Sequence, residues 1–170
     1  MQLFILDRSP AAAAQMLCDV HLRKMCLENA QILSGVLLNS GKKLLPQMPK
    51  PCNAAHPVIK AVNTPFKINW VLRHNHALQQ EFFRRSGKYH AYNKIVPVYF
   101  SLLFCVGTIK EDWSFYRNFK DFKPLSSDIV GAYREYYRFK KSILRHWLYT
   151  NTSEPEWLGS TIDIHCKGMN

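Results

Sequence analysis

The chain predicts a compact, mainly α-helical single domain built on three long helices, with an extended N-terminal segment lying across it. Three observations carry that expectation. A run from about Pro10 to about Leu38 has a cap, a proline at the first turn and four consecutive alanines. A second run opens on Thr64-Pro65 and closes on Gly87, and a third spans about Asp128 to about Tyr149 with charged residues recurring at helical spacing. At 170 residues, 47% of them apolar and 13% aromatic, the chain is long enough to bury one core and too apolar to be disordered.

In chain order, Leu3 to Leu6 is a short apolar run that reads as a strand or a tucked-in extended segment, so it fixes the N-terminal amine against the body of the protein. Ser9 is the expected N-cap of the first helix and Gly41 lies just past its end. On a wheel of about 100° per residue, His21, Lys24, Glu28 and Gln31 share one side with Leu17, Met25 and Ile32. Asp19, Arg23 and Ser34 fall opposite, where Asp19 and Arg23 read as a solvated pair. Ionisable groups threaded among apolar residues must be paired, hydrogen-bonded or neutral. A carboxylate and a histidine so placed suit proton transfer, or else an internally salt-bridged core helix.

Gly41 to Asn53 has no period and reads as a surface loop, basic through Lys42, Lys43 and Lys50. Ala54 to Asn63 suits a short helix. The second long helix ends near Arg85, with Ile68, Val71, Leu72, Leu78 and Phe82 as its core face. Its His74-Asn75-His76 tripeptide is no nuclease motif, because that motif's residues are spread over a metal-binding finger. Arg84, Arg85 and Lys88 gather positive charge at its C-terminus, and Gly87-Lys88-Tyr89-His90 reads either as a turn suited to holding a phosphate or simply as a helix cap with polar trim. Ile95 to Val106 reads as a buried helix begun near Pro97, and Lys110 to Pro124 as loop plus short helix. Ser126 or Ser127 caps the last helix, along which Arg134, Arg138, Lys141 and Arg145 make one basic stripe interleaved with tyrosines.

Lys and Arg outnumber Asp and Glu by 23 to 12, so a polyanion is the expected partner, and nucleic acid comes before an acidic membrane surface. Five cysteines without CxxC spacing predict a reduced, cytoplasmic protein, and no apolar run is long enough to span a bilayer. There is no P-loop, GxGxxG, HExxH or GxSxG, which removes the usual starting points for nucleotide hydrolysis, dinucleotide redox, zincin and serine-hydrolase chemistry. His21 and Glu28 lie roughly 10.5 Å apart along a helix, too far to ligate one ion, so no metal site and no cofactor is expected from the set His21, Glu28, His56 and His90.

Asp19-Val20-His21-Leu22 followed by Glu28, His56-Pro57-Val58 ahead of an amphipathic helix, and Pro155-Glu156-Trp157 near the end resemble three segments of the pyrimidine-dimer DNA glycosylases of the phage endonuclease V type. The resemblance is loose and covers most of the chain. It implies a glycosylase, with an accompanying lyase activity, acting on damaged or modified pyrimidines in double-stranded DNA. The N-terminal amine, here that of Met1, and Glu28 would be catalytic, with His21 beside them. Lys24, His56, Arg84, Arg85, Lys88, His90, Arg134, Arg138, Lys141 and Arg145 would hold the DNA. The chain opens Met1-Gln2 where that family opens Thr-Arg, and has Leu27 where it carries an arginine. Two other readings stand beside it: a non-enzymatic nucleic-acid-binding or anti-defence protein on the same scaffold, and an enzyme using the His21, Glu28, His56 and His90 cluster on a nucleotide or modified base.

Overall fold

The computed structural model describes residues 1–93, 109–120 and 122–159, and the expected helix over Ile95 to Val106 lies outside them. Six helices occur among the described residues: α1 (Pro10–Gln15), α2 (Asp19–Asn39), α3 (Pro57–Ala61), α4 (Pro65–Ser86), α5 (Ile129–Ile143) and α6 (Glu156–Gly159). The fold is mainly α, with α2, α4 and α5 as the long elements, and α1 and α2 both pack on α4.

The first helix is two. The chain leaves the helical path after Met16, and Cys18, with φ −66° and ψ 160°, restarts it as the N-cap of α2. A break leaves unpaired carbonyls and amides, which need partners when buried. Here they come from distant parts of the chain. Arg85 donates to Leu17 O and Gln15 O, each at 2.8 Å, and the Tyr137 hydroxyl accepts from the Cys18 amide at 2.8 Å. Leu17 and Cys18 are consequently fully buried. Asp19 does not pair with Arg23. It accepts from Arg85 at 2.9 Å and from the Thr150 hydroxyl at 2.6 Å, and Ser34, expected on a solvated side, is buried.

α4 follows its local signals closely. The Thr64 hydroxyl accepts from the Lys67 amide, Pro65 occupies the first turn, and Gly87 ends the helix at φ 67°, where a side chain would be strained. α5 departs at both ends. Asp128, not Ser126 or Ser127, caps it by accepting from the Val130 and Gly131 amides, and it stops at Ile143, so Arg145 lies beyond the helix, exposed and off any stripe. The segment 109–120 contains no helix; it runs irregularly across the body and inserts Phe115 and Phe119 into the core.

The N-terminal segment lies outside any helix, and among the described residues no strand pairs with it. Leu3, Phe4, Ile5 and Leu6 are at most 2% exposed. Phe4 packs against the rings of His21, Tyr136 and Tyr137, bringing α2 and α5 together over the segment. Burying four such side chains contributes roughly 1.5–3 kcal/mol each, which offsets the ordering of a segment that gains no sheet.

Candidate functional site

Four tethers position the N-terminus. Asn118 Nδ2 donates to Met1 O at 2.9 Å, the Gln2 amide donates to Glu28 Oε2 at 2.7 Å, Arg134 Nε donates to Leu6 O at 2.8 Å, and Trp70 Nε1 donates to Arg8 O at 2.8 Å. They come from the segment 109–120, α2, α5 and α4. The chain start is thereby delivered to one carboxylate on the long central helix, and the Met1 amine lies one residue, at most about 4 Å, beyond the Gln2 nitrogen.

The Glu28 side chain is 12% exposed and has a second partner, Lys24 Nζ at 3.6 Å, whose own side chain is 58% exposed. His56, half-buried at the start of α3, feels both charges. Burial lowers its pKa first, the N-terminal ammonium lowers it further, and Glu28 raises it. Its Nδ1 accepts from the Val58 amide, so the ring is also the cap of α3. Gln2 and Lys24 are thus in contact with Glu28, and the charges of the N-terminus and of Glu28 both reach His56.

Lys140 on α5 is within electrostatic reach of Lys24 and of Lys120. Burial lowers the Lys140 pKa, and the charges of Lys120 and Lys24 lower it more. Lys120 has a left-handed backbone at φ 48°, a conformation costing a non-glycine residue about 1 kcal/mol or more, which persists only where the surroundings impose it. The charges of Lys24 and Lys120 thus both act on Lys140, whose ammonium lies 5.7 Å from the Tyr136 ring centre, and an anion bound near these lysines would offset their repulsion.

The expected site residues do not all converge here. Glu28, Met1, Lys24 and His56 do. His21 lies among Phe4, Tyr137 and Trp147, its Nδ1 has no hydrogen-bond partner among the described residues, and burial with the charges of Lys24 and Lys140 lowers its pKa to about 4. It is a neutral ring in an aromatic cluster. Arg85 is 5% exposed and its guanidinium is occupied by Glu81, Asp19, Leu17 O and Gln15 O; Arg84 is paired with Glu81 and donates to Asn151 O. Arg134 holds Leu6 O and Asp7, Arg138 donates twice to Trp157 O, and Lys141 pairs with Glu154. The basic stripe of α5 is thus largely a clamp on the N-terminal segment and on α6, because the same period that aligns charges aligns neighbours. Lys88 and His90 line a different cleft with Arg23, which sits about 140° around α2 from Glu28. The four-residue cluster of His21, Glu28, His56 and His90 is accordingly not assembled, and among the described residues no three His, Cys, Asp or Glu stand close enough to hold a metal.

Asn118, Lys120 and Lys140 were not legible as site residues. Lys140 is one position off the Arg134 and Arg138 stripe, and the two loop residues carry no periodic signal. Comparison of the chain with protein-family models, characterised proteins and solved structures returns no match. Among the described residues no helix is long and apolar enough to cross a membrane.

Proposed function

We propose that the chain is a DNA glycosylase of the pyrimidine-dimer type, working at the junction of the chain start and Glu28. The observation that carries the reading is the 2.7 Å bond from the Gln2 amide to Glu28 Oε2, which holds the chain start at a largely buried carboxylate paired with Lys24. In the mechanism that the family resemblance implies, the amine nitrogen forms a bond to C1′ of the deoxyribose while the bond from C1′ to the base breaks, the base taking the electron pair and a proton. Glu28 accepts the amine's proton and returns one to the ring oxygen as the sugar opens to an imine, which water then hydrolyses. Lys24, Lys120 and Lys140 bind the flanking phosphates and stabilise the bent backbone from which a base leaves the stack.

Glu28→Gln tests this reading. Glutamine still accepts from the Gln2 amide, and Lys24 is exposed enough to be solvated without its partner, so folding should cost about 1–2 kcal/mol. Proton exchange is lost, so base release from a pyrimidine-dimer duplex should fall by roughly 10²–10⁴ with DNA binding kept. Borohydride should trap an enzyme–DNA adduct in the parent protein, and intact mass should show a free amine at its start. A folded variant with full activity ends the assignment. A second reading, DNA binding without chemistry, is favoured by the Met1-Gln2 peptide bond, which places an amide, not an amine, on Glu28. Salt-sensitive DNA binding with no trapped adduct would select it.

A further inference from the structure

On another flank of α2, a cleft of about 650 Å³ opens between the first turns of α2 and the end of α4, within the range of small-ligand sites. Leu22 and Phe82 give it an apolar floor. Arg85 and Asp19 form part of the wall, but their charges are already matched to each other and to Glu81. The cations left over are Arg23 and Lys88. Both are exposed, and among the described residues the side chain of neither has a hydrogen bond or carboxylate partner. Burial lowers the pKa of half-buried His90 and the charge of Arg23 lowers it further, and its ring meets Phe82 edge-on at 5.3 Å. At the mouth, Tyr89 is 66% exposed although it stacks on Phe83 at 4.4 Å and 18°. An aromatic ring is thus presented to solvent there.

We infer that this cleft binds a phosphorylated nucleotide unit, with the phosphate between Arg23 and Lys88 and the base against Phe82 and Tyr89. Two cations without carboxylate partners among the described residues, lining a cleft that also presents Leu22, Phe82 and Tyr89, fit a ligand that carries both an anion and a flat ring. Inorganic phosphate alone would leave most of the volume empty, and an unphosphorylated nucleoside would leave both cations unused. The unit is either a free nucleotide or part of a single strand, and stacking on an exposed tyrosine serves both. The inference is independent of the chemistry assigned to Glu28, which lies on another face of the helix.

Calorimetric titration of the full chain distinguishes the outcomes, with thymidine 5′-monophosphate, thymidine, inorganic phosphate, and octathymidylate with and without a 5′-phosphate as probes. A nucleotide-bearing probe should bind at least tenfold more tightly than either thymidine or inorganic phosphate. Arg23→Ser with Lys88→Ser should remove at least tenfold of that affinity, and Tyr89→Ser several-fold, without moving the melting temperature. Monophosphate binding alone marks a free nucleotide, a preference for the phosphorylated octamer marks a chain end, and equal binding of both octamers marks a strand passing through. The inference is overturned if no nucleotide probe exceeds inorganic phosphate, or if the double variant binds as the parent does. Glu28→Gln should leave these affinities unchanged while lowering base release, so loss of nucleotide binding in that variant would also overturn it. Failure of the glycosylase reading would show only in base release.

Discussion

Replacing Arg85 with methionine separates a structural cation from a DNA-binding one. The side chain is almost fully buried, and its guanidinium donates to Glu81 at 2.7 Å, Asp19 at 2.9 Å, and Leu17 O and Gln15 O at 2.8 Å each, with Tyr149 5.7 Å away across its ring. Methionine fills much of the aliphatic stem, so the loss is mainly polar. Breaking a buried ion pair costs about 3–5 kcal/mol, and each carbonyl left without its donor adds roughly 1 kcal/mol. Two features reduce the first figure: Glu81 keeps Arg84, and Asp19 keeps the Thr150 hydroxyl and amide. A net destabilisation of about 3–5 kcal/mol is expected, a large share of the roughly 5–15 kcal/mol that holds a domain together. Urea unfolding at constant m-value reads it directly. The double variant Arg85→Met, Glu81→Met should recover about 1–2 kcal/mol, because a buried carboxylate left with only Arg84 of its two arginines is gone. The salt dependence of DNA binding should not change, since no phosphate contact is removed. A cost under 1 kcal/mol together with a shallower salt dependence would refute the structural role and return Arg85 to the nucleic-acid surface.

Lys24→Glu with Lys140→Glu should weaken duplex binding and lower the slope of log affinity against log salt by about 1.8, read by fluorescence anisotropy across a salt series. Gly35→Ala should destabilise by about 1–3 kcal/mol despite the better helix former, because a Cβ there would sit 2.5 Å from Ile59 Cδ1 and 2.8 Å from its stiff Cγ2; Ile59→Val in the same background should recover part of this in thermal melts. Stability should fall as pH drops from about 6.5 towards 4, before most carboxylates protonate. Burial lowers His74 to about 3, and burial with two lysine charges lowers His21 to about 4, so over this window the unfolded chain binds protons that the folded one refuses. Each ring contributes up to about 1.4 kcal/mol per pH unit, and His21→Phe should flatten the slope in urea titrations at stepped pH. The depressed carboxyls of Asp19 and Glu81 act in the same direction, but at lower pH, where protonation cancels their ion pairs.

What was legible in the sequence was whatever a few neighbouring residues settle among themselves. α4 was readable at both ends because a threonine cap, a proline in the first turn and a glycine at positive φ each act within four residues. Glu28 could be marked as a carboxylate needing a partner, because helical spacing places it among Leu17, Met25 and Ile32. The tertiary structure alone decided which partner. The Gln2 amide is 26 residues away, and nothing near Glu28 announces it. The interruption at Met16 to Cys18 escaped for the same reason: Pro10 to Leu38 has good helix formers throughout, and the groups exposed by the break are satisfied by Arg85 and Tyr137, up to 119 residues distant. The arginines of α5 show the limit most clearly. Helical period tells which side chains share a face, but whether that face meets water, DNA or another part of the chain depends on packing, and here it meets Leu6, Asp7 and Trp157. A charge is free to bind a partner only when the fold has left it unpaired, and pairing across a hundred residues is a property of the packed molecule.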